Sequence, residues 1–188
     1  MIKKKKGKEY DRKGNIKFEG EFFKDKIWKG KKYKKGKLIF DGEFDDGDNW
    51  TGKIKKYDYD GNLEFEGEYL YGKKHGFGKK YGDGKLEFEG EYYYDEEWKG
   101  KFYDYDYSTG ELEGEYEYLY GYKNGKVIEY FKEGKIRFEG EYLNGEKWNG
   151  KGYDPNGELV YEIKNGKTTG KEYDFDGKLK NNKDEDSL

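Results

Sequence analysis

Hydrophobic and charged residues alternate along short segments of this chain. At 63–71 the odd positions carry Leu, Phe, Gly, Tyr and Tyr, whereas positions 64, 66 and 68 carry Glu, and 86–94 shows the same order. An apolar residue at every second position is typical of a β-strand with one buried face. Gly-rich turns separate these segments, as at Gly72 and at 144–145, so the pattern predicts β-hairpins.

The order aromatic–acid–Gly–Glu–aromatic recurs through the chain. Copies centre on Gly20, Gly42, Gly67, Gly90 and Gly140. A variant that begins with Leu centres on Gly114, and a degenerate copy lies near Tyr161. Successive copies are 21 to 26 residues apart. A unit this short cannot bury its own apolar face, so neighbouring units must stack to form a core. We therefore predict an all-β fold, an elongated single-sheet array of about seven stacked antiparallel β-hairpins over 1–180 in one domain, followed by a polar tail at 181–188.

A glycine in the middle of each apolar strand requires an explanation, because glycine normally weakens a strand. Gly67 lies between Phe65 and Tyr69 on the same predicted face. A missing side chain at this position leaves a trough that a neighbouring aromatic ring can cover. We expect rings to lie over these glycines.

Composition narrows the function. The chain has 30 Gly and 22 Tyr, no Cys and one His, which excludes disulfides, thiolate or multi-His metal sites and a cysteine nucleophile. No apolar run approaches the roughly 18 residues that span a membrane. The Lys-rich start is followed by Gly7 and Lys8 rather than by an apolar stretch, so we expect a cytoplasmic protein without cofactor or metal.

Residues 69–78 read Tyr-Leu-Tyr-Gly-Lys-Lys-His-Gly-Phe-Gly and resemble a MORN repeat, a family of stacked β-hairpins with a Gly-x-x-His-Gly-x-Gly signature. The other units resemble the bacterial variant of this repeat, with its Gly-Lys-Leu-x-Phe-Glu-Gly-Glu-Tyr pattern at 84–92, and the similarity extends over about 6–180. The resemblance implies a scaffold without catalytic residues. It also implies an antitoxin- or immunity-like role, as in bacterial members built only from this repeat, whereas eukaryotic members are mostly scaffolds.

Two motifs have a structural and a chemical interpretation. His75 occupies the signature position before Gly76, which favours a role in a hairpin over a role as base or ligand. The Asp-rich segments 45–48, 58–61 and 174–177 are similar to the start of calcium loops. A complete loop also needs further ligands and a bidentate Glu at its twelfth position, and these segments coincide with predicted turns, where Asp is common in its own right.

Four tryptophans, Trp28, Trp50, Trp98 and Trp148, each precede a glycine by two residues. Recurrence in register with the repeat favours rings that cap the hairpin turns. The alternative is a row of binding anchors along one edge of the sheet, because Trp is enriched at binding hot spots.

The charge pattern is the strongest functional signal. No basic residue lies between Lys101 and Lys123, although Lys and Glu are interspersed elsewhere. An acidic surface rich in Tyr suits a basic protein partner, because carboxylates steer the encounter and Tyr supplies contact area. The predicted partner-binding residues are Tyr103, Asp104, Tyr105, Asp106, Tyr107, Glu113, Glu115, Tyr116, Glu117, Tyr118 and Tyr120.

The opposite end of the chain is basic. Residues 1–40 carry 16 basic and 5 acidic side chains, a net charge of +11, so the rest carries −14 of the overall −3. The basic end has three interpretations: a solvated cap, a nucleic-acid site or a contact with anionic lipid. The acidic remainder disfavours nucleic acid.

These observations lead to a non-enzymatic protein–protein interaction module, antitoxin- or immunity-like, that binds a basic partner. The alternative is a structural scaffold or membrane-proximal module that uses its Lys-rich N-terminal end. Self-association through the two edge strands is left open. An enzyme is not expected, because a single-layer sheet offers no closed pocket in which pKa values shift.

Overall fold

The fold is described from a computed structural model over residues 4–45 and 49–180, without the side chains of 45, 49 and 50. Within these ranges all regular structure is β-strand and none is helix. The predicted all-β class is confirmed. The predicted tail at 181–188 lies outside the described residues.

The chain divides into two compact units, 1–98 and 99–188. The prediction of one domain over 1–180 stays a prediction. The first unit contains nine strands: β1 (Lys5–Tyr10), β2 (Ile16–Phe23), β3 (Lys26–Lys34), β4 (Lys37–Asp45), β5 (Asn49–Trp50), β6 (Gly52–Tyr57), β7 (Leu63–Leu70), β8 (Lys73–Gly82) and β9 (Lys85–Tyr93). Strand β10 (Glu96–Tyr105) contains the boundary, and the second unit continues with β11 (Leu112–Leu119), β12 (Tyr122–Tyr130), β13 (Ile136–Leu143), β14 (Glu146–Tyr153), β15 (Leu159–Lys164) and β16 (Lys167–Gly170).

Within each unit the strands follow one another as an antiparallel meander. β1 to β4 pair in chain order, β4 pairs with both β5 and β6, and β6 to β9 again pair in order. In the second unit β10 to β16 pair consecutively. The stacked hairpins expected from the repeat are therefore present.

The turns follow from the local sequence. Two-residue hairpins have positive φ at both positions, as at Tyr71 (51°) and Gly72 (80°) and at Asn144 (53°) and Gly145 (92°). This is the type I′ turn, which matches the twist of paired strands. At the other turns an Asp carboxylate accepts backbone hydrogen bonds; Asp58 accepts them from Asp60 N at 2.8 Å and Asn62 N at 2.9 Å.

A β-bulge recurs just before the buried aromatic residue of a unit. Lys56 pairs with Phe65 and Tyr57 pairs with Leu63, which leaves Glu64 as the extra residue. The same shift leaves Arg137 between Ile136 and Phe138 opposite β12. Alternation alone does not reveal these bulges, and they bring charged side chains next to the aromatic residues.

One face of the sheet in each unit, here called the aromatic face, carries the core. Its buried side chains are Phe18, Phe40, Phe44, Ile54, Phe65, Tyr69, Phe88 and Tyr92 in the first unit and Tyr116, Val127, Phe138, Tyr161 and Ile163 in the second. Neighbouring rings pack edge to face, for example Phe65 and Tyr92 with centroids 5.4 Å apart. Such contacts stabilise the fold beyond the effect of burying apolar area.

The mid-strand glycines lie beneath these rings, as the sequence predicts. Gly20 pairs with Gly30 across β2 and β3. A Cβ added to Gly20 would lie 2.8 Å from Cζ of Phe18 and 2.7 Å from Cα of Gly30. The ring therefore occupies the space that two glycines leave open.

The other face of the sheet in each unit, here called the polar face, carries cross-strand ion pairs. Lys29 lies 2.8 Å from Glu43, and Lys55 lies 3.2 Å from Glu66. In four strands a tyrosine near the end also donates a hydrogen bond to a Glu of the preceding strand. These pairs are Tyr33 to Glu19 at 2.6 Å, Tyr81 to Glu66 at 2.9 Å, Tyr130 to Glu115 at 2.8 Å and Tyr153 to Glu139 at 2.6 Å.

Candidate functional site

The predicted partner-binding residues lie on β10, on β11 and in the turns beside them, all in the second unit. Because successive side chains of a strand point to opposite faces, they do not form one surface. Tyr103 pairs with Glu115, and these two residues share the polar face with Glu117. Asp104 pairs with Gly114 on the aromatic face, where Tyr116 and Tyr118 also lie.

On the polar face, neighbouring strands supply partners for the carboxylates of the 101–123 segment. Lys101 pairs with Glu117 across β10 and β11. Glu117 also accepts a hydrogen bond from the backbone N–H of Lys126 at 2.8 Å, and Glu115 accepts one from Tyr130. The carboxylates of this face thus already have partners within the sheet.

On the aromatic face, two of the predicted tyrosines support the fold. Tyr116 is buried, and burial raises the pKa of its phenol, assisted by the charge of Glu129. The Lys123 ammonium lies 3.3 Å from the centroid of the Tyr116 ring and 3.9 Å from the Asp104 carboxylate. Tyr118 stacks on Phe102 with centroids 5.8 Å apart.

The turn between β10 and β11 presents the most open part of the predicted set. Asp106 accepts hydrogen bonds from Ser108 Oγ at 2.6 Å and from Thr109 N at 2.7 Å. These bonds, that of Ser108 first, lower the pKa of Asp106 to about 2. Tyr107 is fully exposed beside it. Tyr120, in the hairpin turn after β11, is exposed at φ 53°.

A concavity of about 420 Å³ lies next to this turn and is rich in carboxylates. We call it the acidic concavity, and its lining residues include Asp106, Glu113, Lys132, Asp174 and Asp176. Burial raises the pKa of Glu113, and the charges of Asp104 and Asp106 raise it further. Burial is the largest cause of this shift, and the charges of Arg137 and Lys123 partly oppose it.

Sequence reasoning placed Asp174 and Asp176 in a turn and missed their position beside Glu113. The backbone N–H of Lys132 donates to the carbonyl of Phe175 at 3.1 Å, and Arg137 donates to the carbonyl of Tyr173 at 3.2 Å. These contacts hold the 173–179 segment against the turn after β12. The sequence contains no local signal for them, because the partners lie some 36 to 43 residues apart.

A buried ionic cluster on the aromatic face was also missed. Glu129 lies 2.9 Å from Lys147 and 3.2 Å from Arg137, and it accepts a hydrogen bond from Tyr142 at 2.8 Å. Burial raises the pKa of Glu129, but Lys147 and Arg137 outweigh this effect, so the net shift is downward. The cluster pairs one buried carboxylate with two cations, and such pairing is typical of a structural role.

Three of the four tryptophans have described side chains, and each lies near a hairpin turn. The Trp28 ring lies under the Lys4 ammonium at 4.5 Å, and Trp98 contacts Tyr93 with centroids 5.6 Å apart. Trp148 lies beside Gly166, whose N–H donates to the Trp148 carbonyl at 2.8 Å. These positions agree with turn capping, while binding through these rings stays a prediction. The side chain of Trp50 lies outside the described residues.

His75 packs between two tyrosines of the next hairpin. Its ring centroid lies 5.7 Å from that of Tyr93 and 5.0 Å from that of Tyr94. Over 4–45 and 49–180, no group of three or more His, Asp or Glu side chains is arranged to hold a metal ion. The Asp-rich segment 45–48 lies outside the described side chains.

Comparison with protein-family models gives no match, and comparison with curated proteins gives none either. The likeness to the MORN repeat therefore rests on the motifs in the sequence. In the part of the chain described here, no helix is long and apolar enough to cross a membrane.

Proposed function

We propose that this chain is a non-enzymatic protein–protein interaction module that binds a basic partner at the acidic concavity of the second unit. The observation that carries the proposal is the crowding of carboxylates around Glu113. Asp106, Asp174 and Asp176 line the same concavity, and Lys132 is the basic residue among its lining side chains. A Lys or Arg of a partner would relieve this repulsion on binding.

The surroundings of the concavity also suit a protein ligand. Tyr107 is fully exposed at its rim and offers contact area at a low cost in side-chain entropy. A surface with an excess of one charge sign raises the association rate with a partner of opposite charge. Tyr116 and Tyr118 belong to the supporting aromatic face, so the proposed binding surface contains only part of the set predicted from the sequence.

The resemblance to bacterial repeat proteins suggests a biological role for this binding. An antitoxin- or immunity-like protein inhibits its target by covering a functional surface, and toxins that act on nucleic acid carry basic surfaces. An acidic concavity would cover such a surface.

The experiment is a pull-down from lysate of the source cells, followed by affinity measurement with the purified partner. The test variant carries Glu113→Gln, Asp174→Asn and Asp176→Asn. The control variant carries Glu141→Gln, Glu146→Gln and Glu158→Gln, which change the net charge equally on exposed positions of the same unit. We expect the test variant to lose about tenfold or more in affinity, with slower association at low salt, and the control to bind like wild type.

Equal loss in both variants would mean that net charge alone attracts the partner, and the proposed site would be wrong. Unchanged binding by the test variant would also reject it. Recovery of membrane material alone, followed by binding to anionic vesicles, would favour the scaffold or membrane-proximal alternative. That alternative is supported by the exposed Lys4, Lys5, Lys6 and Lys8.

A further inference from the structure

Strand β1 has an open edge. Among the described residues it pairs with β2 alone, so the backbone groups on its other side face no strand. Its side chains Lys5, Lys6 and Lys8 are exposed. An open edge is a template on which another extended segment can pair.

The repeat itself indicates which kind of strand fits this edge. β3 has the same sequence type as β1 and is paired on both sides. Gly30 faces Gly20 in β2 and Gly42 in β4, and Lys31 faces Glu19 and Asp41. A Lys-rich strand of this protein thus lies between two acidic strands, with glycine opposite glycine.

β1 repeats one half of this arrangement. Gly7 faces Gly20 and Lys8 faces Glu19, the register that Gly30 and Lys31 have with the same two residues. The neighbour equivalent to β4 is missing on the other side. In the β3–β4 pair, β4 places Glu43 opposite Lys29, Asp41 opposite Lys31 and Phe40 opposite Lys32.

We propose that the open edge of β1 binds an extended acidic segment of a partner protein as an added antiparallel strand. The segment has the order aromatic–acid–Gly–acid, with its glycine opposite Gly7 and its acids opposite Lys6 and Lys8. On the aromatic face, the half-buried ring of Phe22 lies against Gly7 and provides an apolar neighbour for the incoming aromatic residue. On the polar face, Lys8 already lies 3.3 Å from Glu19 of β2, and an added acidic strand would place a second carboxylate on its other side, as Asp41 does for Lys31.

A second copy of the chain fits this edge poorly. Joining two β1 edges would place Lys-rich strands against each other, and like charges directly opposite across a strand pair are destabilising. The acidic strands β2 and β4 of the first unit are paired on both sides and have no edge to offer. The lysines therefore oppose pairing between two β1 edges and favour an acidic strand.

This inference does not depend on the proposed function. β1 lies in the first unit and its partner segment is acidic, whereas the acidic concavity lies in the second unit and its partner is basic. Either surface can fail its test without affecting the other. The test and control variants of both surfaces are all made in the full-length chain.

The probe is a capped synthetic peptide, Lys-Leu-Ile-Phe-Asp-Gly-Glu-Phe, the sequence of residues 37–44. We expect saturable binding to the full-length chain and slower hydrogen exchange at alternate amides of β1. The variant Lys6→Glu with Lys8→Glu should bind about tenfold more weakly, as two exposed cross-strand ion pairs become repulsive contacts. The control Lys35→Glu with Lys53→Glu, the same charge change at exposed positions of the same unit, should bind like wild type.

Two N-methylated peptides test for strand pairing directly. One is methylated at the odd residues and the other at the even residues, with Gly among the latter. Alternate N–H groups of a strand point to opposite edges, so one peptide should lose binding and the other should retain it. Equal binding by both peptides, or equal binding by a scrambled peptide of the same composition, would show simple charge attraction and overturn the proposal. No effect of the Lys6→Glu, Lys8→Glu variant, or no peptide binding at all, would overturn it as well.

Discussion

The carboxylate of Glu129 lies 2.9 Å from the ammonium of Lys147 on the aromatic face of the second unit. Both side chains are largely buried, with 5% of the Glu129 and 17% of the Lys147 side chain exposed. Arg137, the extra residue of a β-bulge, completes the pair from the neighbouring strand. The core of this unit therefore joins aromatic rings to a buried set of charges.

Removing the carboxylate should destabilise the chain strongly. Glu129→Ala leaves Lys147 and Arg137 partly buried without a counter-charge, which costs about 3 kcal/mol of unfolding free energy. Urea denaturation measures this loss. In the control, Glu162→Ala removes an ion pair whose Lys164 side chain is 80% exposed, and its cost should stay below about 1 kcal/mol. Equal losses in the two variants would contradict the structural role of Glu129.

The same cluster predicts a dependence on acid pH. The pKa of Glu129 lies below its ordinary value of 4.5 in the folded chain. Its contribution to stability is therefore present above pH 4.5 and is lost as the pH falls through the lower, folded pKa. Unfolding free energy measured from neutral to acid pH should fall less steeply in Glu129→Gln than in the wild type. Parallel curves would mean that Glu129 does not carry this acid sensitivity.

The glycine beneath Phe18 should not tolerate a methyl group. Gly20→Ala places a Cβ 2.8 Å from the Phe18 ring and 2.7 Å from Gly30 Cα, so we expect a loss of about 2 to 3 kcal/mol from overpacking. Gly7→Ala is the matched control in the same row of glycines. Its Cβ would lie 3.1 Å from the edge of the Phe22 ring, and its stability should stay within about 1 kcal/mol of wild type. Thermal or urea unfolding decides between these outcomes.

Much of this core was predictable from the sequence because the information is local. Alternation with period two places Phe65, Gly67 and Tyr69 on one face, and the repeated glycine indicates a ring above it. The same reasoning does not predict the ion pairs of Glu129, because its neighbours depend on a bulge that shifts the register by one residue. The acidic concavity depends on Asp174 and Asp176, which tertiary contacts bring to Glu113 from a distant part of the chain. Local patterns therefore predict the faces of the sheet and miss the contacts that link distant turns.

A tyrosine occupies a strained position in the turn between β7 and β8. Tyr71 has φ 51° and Gly72 has φ 80°, the conformation that Asn144 and Gly145 adopt in the equivalent turn between β13 and β14. Bulky residues disfavour this region, whereas Asn tolerates it. Tyr71→Asn should therefore raise the unfolding free energy by about 1 kcal/mol, and Asn144→Tyr should lower it by a similar amount. Changes of the same sign in both variants would show that side-chain contacts, not turn geometry, determine stability here.

The tyrosine–glutamate pairs of the polar face predict alkaline behaviour. Burial and a hydrogen bond to glutamate raise the pKa of Tyr33, Tyr81 and Tyr130 from 10.0 to about 12. A raised pKa means that the stabilisation is full below pH 10.0 and is lost as the pH rises towards about 12. Phenolate absorbance during an alkaline titration should show a late fraction, and the triple variant Tyr33→Phe, Tyr81→Phe, Tyr130→Phe should reduce it.

Tyr59 provides the control for that titration. Its hydroxyl accepts a hydrogen bond from the Lys34 ammonium at 2.8 Å, which lowers the pKa of the phenol. Tyr59→Phe should therefore remove absorbance from the early part of the curve and leave the late part unchanged. If the triple variant instead removed the early part, the hydroxyls of Tyr33, Tyr81 and Tyr130 would not be held by Glu19, Glu66 and Glu115 in solution. The tyrosine–glutamate hydrogen bonds that recur in the repeat would then be absent in solution. The part of the titration curve that each variant removes, early or late, therefore decides whether these bonds form.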